Sequence, residues 1–189
     1  MIRLKYGNTN TFYSSGLLVD TGYAGLMQPF YRALKENGLR MEHIQYVLAT
    51  HYHPDHMGLI SELMKQGVKL LLMDVQREYV HFSDHLFRRD GLPYVPIPEA
   101  SATILTCSGS RAFLAGLHIS GEILYTPSHS RDSVSLVTDD GDACVGDLEP
   151  FEYIEAYGDN AALQKDWEQI LAHHPRRILY AHRPESVLD

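Results

Sequence analysis

The sequence predicts an α/β (or α+β) protein, and three observations support that fold class. Short β-rich apolar segments recur through the 189 residues, and several are followed by stretches with apolar residues at helical spacing. Both halves of the chain bring strands first and a helix afterwards, with no linker or low-complexity segment between them. Hydrophobic residues make up 44% of the chain, enough for a sizeable core. We therefore expect a single domain spanning residues 1–189.

The first half of the chain is expected to alternate strands and helices. Leu26, Phe30 and Leu34 recur at helical spacing, and Gly38 marks the end of that helix. Pro29 fits only in the first turn of a helix, so the true start is expected slightly after residue 25. The expected strands cover residues 3–6, 11–13, 16–20, 44–49 and 68–73, and the expected helices cover residues 25–37 and 58–66, the latter closed by Gly67.

The second half is expected to be richer in strands. Residues 81–98 contain Pro93, Pro96 and Pro98, which predict a long loop or a broken helix. Such a segment could be a lid over a substrate or a structural crossover. The turn at 138–142 is typical of a hairpin. Strands are expected at 102–106, 111–115, 117–119, 122–126, 133–138, 143–146 and 177–180, and helices at 75–81 and 160–173.

A short segment after the predicted strand at 44–49 carries three histidines and an aspartate within six positions. His51 and His53 lie two residues apart, so in extended backbone their side chains share one face. Neutral imidazoles arranged in this way could bind one metal ion. An incidental histidine-rich surface loop is the alternative interpretation.

The rest of that segment could bind a second ion nearby. Pro54 is expected to keep the backbone out of a helix. Asp55 and His56 are adjacent, so they face away from the first pair of histidines. The strand-loop-helix context favours a metal site over a surface loop.

Three further residues of the types that bind metals follow later predicted strands. His129, Asp147 and His182 each come just after the end of a strand. Each of them alone would be an ordinary surface residue. His51 and His53 alone provide too few ligands for a metal ion, and these three residues could complete the site.

These residues resemble the ligand motifs of the metallo-β-lactamase superfamily, over nearly the whole chain. The superfamily's HxHxDH signature appears as His51-Tyr52-His53-Pro54-Asp55-His56, and its early Asp-Thr-Gly stretch as Asp20-Thr21-Gly22. Its Thr-Pro-Gly-His element appears as Thr126-Pro127-Ser128-His129, with serine for the usual glycine. Its bridging aspartate and last histidine match Asp147 and His182, although Arg183-Pro184 departs from the usual glycine that follows. The resemblance implies a four-layer αββα sandwich with metals at one edge, between the sheets.

The resemblance also implies two divalent metal ions, zinc in the first place, with iron or manganese as alternatives. A hydroxide bridging the ions would be the nucleophile, because two cations lower the pKa of a bound water toward neutrality. Asp55 would be catalytic as well as a ligand, since it could orient that hydroxide and accept its proton. Asp20 and Thr50 would orient the ligands, or else cap a turn and a strand end. The implied ligands are His51, His53 and His129 for one ion, Asp55, His56 and His182 for the other, and Asp147 between them.

The function implied by the resemblance is hydrolysis of a small ester, thiolester or lactone. A phosphodiesterase is one alternative. A diiron oxidoreductase on the same fold is another, although such proteins usually carry glutamate at the position of His53. A non-catalytic relative is disfavoured, because such relatives tend to lose ligands that this chain retains.

Four further side chains are candidates for the substrate pocket. Arg131 and His85 are candidate substrate contacts, because Arg131 follows His129 closely and His85 lies in the 81–98 segment. Tyr153 and Tyr157 follow Asp147 and could form a wall of the pocket, although ordinary packing is the simpler interpretation.

Composition restricts the partners and the location that we expect. The net charge of −8 argues against a nucleic-acid partner, because phosphate binding requires lysine and arginine. The first residues have no apolar signal-peptide core, and no apolar run is long enough for a membrane span. Cys107 and Cys144 are too few for a disulfide framework, which favours a reducing, cytoplasmic compartment. We expect a small-molecule substrate, and the sequence leaves the oligomeric state open.

Overall fold

The computed structural model describes residues 1–156 and 160–188. Within these ranges the chain forms two β-sheets and seven α-helices. None of those helices combines the length and the apolar character that crossing a lipid bilayer would require.

The first sheet is built from the first half of the chain. Its strands are β1 (Ile2–Lys5), β2 (Asn10–Ser14), β3 (Leu17–Val19), β4 (Tyr46–Leu48), β5 (Lys69–Met73) and β6 (Thr103–Leu105). They lie side by side in sequence order. The pairs β1–β2 and β2–β3 are antiparallel, whereas the pairs from β3 to β6 are parallel. The parallel strands are joined by crossovers that contain helices, as parallel pairing requires.

The second sheet is built from the second half. Its strands are β7 (Gly121–Tyr125), β8 (Val134–Thr138), β9 (Asp142–Gly146), β10 (Arg177–Tyr180) and β11 (Ser186–Val187). Their spatial order is β11-β10-β9-β8-β7. The predicted hairpin joins β8 to β9, and β9 pairs with β10 in parallel. The short strand β11, which the sequence analysis missed, pairs with β10 at the edge.

The helices pack on the outer faces of the two sheets, apart from Ser110–Gly116, whose Leu114 belongs to the core between the sheets. They are α1 (Met27–Glu36), α2 (Pro54–Met57), α3 (Ile60–Lys65), α4 (Asp84–Arg89), α5 (Ser110–Gly116), α6 (Tyr153–Ala156) and α7 (Ala161–Leu171). The predicted ends of α1 and α3 are confirmed, because Gly38 and Gly67 follow them with φ of 69° and 94°. Glycine adopts these left-handed conformations without steric cost.

The hydrophobic residues form three separate cores, which define four layers. Alternate residues of one strand face opposite cores, since Val47 of β4 packs with the helices α1 and α3 while Leu48 faces the second sheet. Likewise, Cys144 of β9 faces the first sheet, whereas Ala143 and Val145 pack against Trp167 of α7. The order of layers is therefore helix, sheet, sheet, helix, and the predicted αββα sandwich is confirmed.

Two strands predicted in the second half were wrong. Residues 111–115 belong to helix α5, and residues 117–119 form the turn that follows it. Ser110, Leu114 and Leu117 are the buried residues here, a spacing of three to four that is helical. The apolar run around Leu114 hid that period, because a short apolar run fits a strand and a helix equally well.

The expectation that Pro54 keeps the backbone out of a helix was also wrong. Pro54 is the first residue of α2, where its fixed φ suits the helix and its missing N–H needs no partner. The predicted helix at 58–66 corresponds to α3 at Ile60–Lys65, and α2 precedes it at Pro54–Met57. The helix predicted at 75–81 is a 3₁₀ helix at Asp74–Tyr79.

The proline-rich segment at 81–98 contains α4, and two of its apolar side chains lie in the core. Phe87 and Ile97 are buried, and the ring of Phe87 stacks on Tyr94 with 4.0 Å between centroids. His81 lies 2.9 Å from a carboxylate oxygen of Asp84 and 2.9 Å from one of Glu99, which ties the two ends of the segment together. A role as a substrate lid stays a prediction.

Candidate metal centre

The ends of several strands bring the predicted ligands to one edge of the sandwich. His51 follows β4, Asp147 follows β9 directly, and His182 lies two residues after β10. Because β9 and β10 are parallel, their carboxyl ends lie together. His129 comes from the loop between β7 and β8, and α2 carries Asp55 and His56. Two groups of side chains result, each with its candidate ligand atoms within 4.8 Å of one another.

The first group contains His51, His53, His129 and Asp147. The Nε2 atom of His51 lies 2.9 Å from Nδ1 of His53, and Nε2 of His129 lies 3.4 Å from the same atom. One carboxylate oxygen of Asp147, Oδ2, lies 3.9 Å from His51 and 3.8 Å from His129. Three imidazole nitrogens and one carboxylate oxygen thus face a common point, and this donor set suits a tetrahedral zinc ion.

The second group contains Asp55, His56 and His182. The Nε2 atom of His182 lies 3.0 Å from Oδ2 of Asp55, and Nε2 of His56 lies 3.9 Å from Oδ1 of Asp55. Asp147 also reaches this group, since its Oδ1 is 3.3 Å from His182 and its Oδ2 is 3.3 Å from His56. The carboxylate of Asp147 therefore lies between the two groups and within reach of both.

Unpartnered polar atoms indicate that these groups fit a pair of cations. The Nε2 atom of His56 and Oδ1 of Asp147 are buried and make no hydrogen bond, whereas Nδ1 of His56 lies 3.1 Å from Oδ2 of Asp20. A buried polar atom without a partner costs roughly 1–3 kcal/mol. Carboxylates and neutral imidazoles are ligands of zinc, iron and manganese, so a metal ion bound here would satisfy these atoms.

Comparison with known proteins decides the family. A model of the metallo-beta-lactamase superfamily matches residues 14–184. This chain belongs to that superfamily. Beta-lactamase-like protein 2 homolog from Drosophila melanogaster is 28% identical over 185 residues, which cover 92% of this chain and 58% of that protein. The chain thus spans less than two thirds of that relative.

Solved structures show the same fold. TTHA1623, described in a di-iron-bound form, is 22% identical with a TM-score of 0.73, and the match covers 98% of this chain and 93% of that one. BLEG-1, described as a B3 metallo-beta-lactamase, is 21% identical with a TM-score of 0.71 and the same coverage, 98% and 93%. At these identities the likeness shows the superfamily fold and leaves the substrate and the metal open.

Asp20 and Thr50 lie directly behind the ligands of this superfamily member. The Thr50 N–H donates to Oδ1 of Asp20 over 2.7 Å, and the Thr50 hydroxyl donates to Oδ2 over 2.9 Å. Oδ2 of Asp20 lies 3.1 Å from Nδ1 of His56, and the Thr50 hydroxyl lies 3.3 Å from Nδ1 of His51. Asp20 is fully buried and has a φ of 60°, an unusual conformation for a non-glycine residue. One buried carboxylate thus contacts His56 directly and is connected to His51 through Thr50.

Gly146 allows the two sheets to approach each other beside the ligands. A Cβ atom at this position would lie 2.4 Å from the Thr50 hydroxyl oxygen, and the φ of Gly146 is 59°. Only glycine meets both conditions without displacing its surroundings. Its absent side chain therefore helps to place Thr50 and the adjacent Asp147.

Two buried polar residues that the sequence analysis missed hold the ligand loops together. The Gln76 side-chain amide donates to the carbonyls of Ala49, Thr50 and Asp132 over 3.0, 3.3 and 3.1 Å. The carboxylate of Asp132 accepts from the Tyr52 N–H over 2.7 Å. These bonds join the loop of His51 to the loop of His129. No sequence signal marks Gln76, because its partners are distant main-chain atoms.

A third missed contact fixes the orientation of His182. Its Nδ1 atom lies 3.0 Å from the Asn8 carbonyl, which can accept only from a protonated Nδ1. The lone pair of Nε2 then faces Asp55 and Asp147. Thr9 and Asn10, two polar residues at the start of β2, are buried in the structure. Their polar character was the signal that the sequence offered.

The side chains alone give these histidines contrasting pKa values. Burial holds the pKa of His51 well below its ordinary value, and the charges of His56 and His53 lower it further. Burial also opposes protonation of His56, but Asp20 and Asp147 outweigh burial and raise its pKa to about 10. Burial would raise the pKa of Asp147, whereas His56 holds it below its ordinary value. The lowered pKa of His51 favours the neutral form that a metal ligand requires, whereas His56 would have to release a proton to bind a cation.

The candidate substrate residues lie at different distances from the centre. Arg131 lines an open groove of about 880 Å³ together with Tyr125, whose hydroxyl donates to the Arg131 carbonyl over 2.8 Å. His85 is exposed on α4, and its Nδ1 contacts the Phe82 carbonyl. Tyr153 is exposed near the mouth of the site. Tyr157 lies outside the described residues, and the roles of Arg131 and His85 stay predictions.

Proposed function

We propose that this protein is a hydrolase that uses two divalent metal ions to cleave a small ester, thiolester or lactone. The observation that carries the proposal is the pair of ligand groups that share Asp147. When bound, two such ions lower the pKa of a water molecule at the site and polarise the substrate oxygen. Zinc is the first candidate, and iron or manganese would fit the same donors.

Residues of the chain would accept the proton of the attacking water and orient the ligands. Asp55 would accept the proton from the attacking water, because its Oδ2 faces the centre 3.0 Å from Nε2 of His182. Thr9 donates to the Asp55 carbonyl over 2.8 Å and so restrains the backbone at this position. Asp20 and Thr50 would hold the imidazoles of His51 and His56 in orientation. No serine or cysteine nucleophile is needed for such a reaction.

The size of the adjacent cavity supports a small substrate. A cavity of about 200 Å³ opens beside His129, Asp147 and His182. Pockets for drug-sized ligands usually measure roughly 300–1,000 Å³, so this one suits an acyl group of a few atoms.

The test is a substrate panel measured on metal-loaded protein with and without a chelator. The panel contains chromogenic esters, a thiolester, a lactone and a phosphodiester, and the protein is loaded separately with zinc, iron or manganese. We expect chelator-sensitive hydrolysis of an ester, thiolester or lactone. His53→Ala should lose one metal equivalent by elemental analysis, and its activity should fall roughly hundredfold or more.

Replacement of a histidine outside the candidate site controls for general effects of removing a histidine. His118 is exposed in a left-handed conformation that asparagine tolerates, so His118→Asn should keep both metal equivalents and full activity. Normal turnover in His53→Ala would contradict the ligand assignment. Cleavage of only the phosphodiester would favour a phosphodiesterase.

A diiron oxidoreductase is the second candidate, because TTHA1623 is described in a di-iron-bound form. It predicts visible absorption from the iron-loaded protein and consumption of dioxygen or nitric oxide when a reductant is supplied. Inactivity of the zinc-loaded protein toward the whole panel, combined with that consumption, would favour it.

A further inference from the structure

Arg183 places a positive charge at the mouth of the candidate centre. Its side chain lines the cavity of about 200 Å³ that also contains His129, Asp147 and His182. Arg183 is exposed, and no carboxylate lies within 4.0 Å of its guanidinium among the side chains that the structure describes, those of residues 1–154 and 160–188. Its charge is therefore not neutralised by an ion pair within that part of the chain.

Two tyrosine rings restrict the position of this guanidinium. Its central carbon lies 5.4 Å from the ring centroid of Tyr180 and 5.7 Å from that of Tyr153. Cation–π contacts at these distances favour a fixed head group. The N–H edges are the part that binds oxygen anions.

The backbone beneath Arg183 is held equally firmly. The side-chain amide of Asn10 donates to the carbonyls of Tyr180 and Arg183 over 2.9 and 3.2 Å. The Asn10 N–H donates to the Ala181 carbonyl over 2.7 Å. Hydrogen bonds thus fix the main chain at Arg183, directly after His182. Little backbone conformational entropy would therefore be lost when Arg183 binds a ligand.

A carboxylate is the ligand that fits this arrangement best. The planar fork of a guanidinium matches the two oxygens of a carboxylate. A phosphate monoester carries nearly two charges at pH 7, whereas Arg183 is the one cationic side chain that lines this cavity. Glu149 lines the same cavity, so an anionic substrate needs a local cation to offset repulsion.

We propose that Arg183 binds a carboxylate of the substrate, so that the ester, thiolester or lactone cleaved here carries an acid group. This inference rests on the proposed function, because it assumes that the reacting bond lies at the metal centre. Arg183 would determine specificity, and the hydrolytic step itself would not need it.

A pair of thiols tests the inference by binding rather than by turnover. Thiols coordinate zinc, and 3-mercaptopropionate differs from 3-mercapto-1-propanol mainly by its negative charge. Calorimetry on the zinc-loaded protein should show that the acid binds roughly tenfold more tightly than the alcohol. In Arg183→Gln that preference should disappear, while binding of the alcohol and the zinc content remain unchanged. Arg183→Lys should keep part of the preference.

Arg131→Gln is the matched control, since Arg131 is an exposed arginine in a different groove. It should keep the full preference for the acid. An undiminished preference in Arg183→Gln would overturn the inference and leave the proposed hydrolase intact. Failure of both thiols to bind the zinc-loaded wild type would overturn the metal centre, and the role of Arg183 with it.

Discussion

Replacement of Gln76 by leucine tests how the two ligand loops are held together. Gln76 is fully buried, and its amide is hydrogen-bonded to three carbonyls on two loops. The Thr50 carbonyl would keep a partner, because it also accepts from the Val134 N–H over 2.8 Å. In the described part of the chain, the carbonyls of Ala49 and Asp132 have no other donor, so the variant leaves two buried acceptors unpaired. It also removes Oε1, which accepts from the Met73 N–H over 3.2 Å.

The structure gives the size of the effect. Each unpaired acceptor costs roughly 1–3 kcal/mol, and the apolar side chain of leucine recovers part of that, so Gln76→Leu should lose about 3 kcal/mol of unfolding free energy. Urea unfolding followed by the fluorescence of Trp167, which is the only tryptophan and is buried, measures this loss. Zinc affinity of the first ligand group should also fall roughly tenfold, because the loops of His51 and His129 separate.

An exposed glutamine provides the control. The side chain of Gln164 donates to Glu168 on the surface of α7 over 2.9 Å, so Gln164→Leu should change stability by less than about 0.5 kcal/mol. If Gln76→Leu were as stable as the control, or bound zinc as tightly as the wild type, the reasoning that this amide ties the loops together would be refuted.

Two other positions give predictions of different kinds. Gly146→Ala should lose several kcal/mol of stability and part of the bound metal, because the new Cβ would clash with Thr50. Gly38→Ala is the control, since Gly38 has a similar φ and no atom lies within 4 Å of the new Cβ. It should lose only about 1 kcal/mol of stability and no metal. Burial would raise the pKa of Asp142, but two hydrogen bonds from Arg177 hold it below its ordinary value. That contribution to stability is present above about pH 4 and is lost as the pH falls through the lowered pKa. Asp142→Asn should therefore be less stable than wild type by roughly 1–3 kcal/mol at pH 7, and the difference should shrink below about pH 4, as urea unfolding at both pH values will show.

The sequence predicted those elements in which local pattern and tertiary environment agree. The strand at 177–180 matches β10 at both ends, and the cluster after β4 lies where the strand-end argument placed it. Helix α5 was wrongly predicted as a strand, because its run of apolar residues has no period of its own. Which of its side chains are buried is decided by packing between the sheets, and no local feature of the sequence records that packing.

In the candidate site, too, some residues are recognisable from the sequence and others are not. Residues that offer ligand atoms are recognisable by type and by their position after strands. Asp20 and Thr50, which orient them, were predicted only through the family resemblance. Gln76 and Asn10 were not predicted, since they act through main-chain atoms 26 to 173 residues away. A contact with a carbonyl group places no constraint on the identity of the residue that carries the carbonyl. Such partners are therefore visible only once the chain is folded.

Charge balance connects the candidate centre with the specificity proposed for Arg183. Asp20, Asp55 and Asp147 place three negative charges around the five histidines. Two divalent cations would exceed those charges by one, provided that the imidazoles are neutral as ligands must be. An anion bound to those cations, such as the thiolate of either thiol, would cancel that excess. The loaded centre would then be close to neutral within a protein of net charge −8, and the guanidinium of Arg183 would supply the local positive charge. Without metal the same centre repels anions. The preference for an acidic thiol over a neutral one should therefore exist only in the metal-loaded protein, and it should weaken as ionic strength rises, because exposed charges are screened.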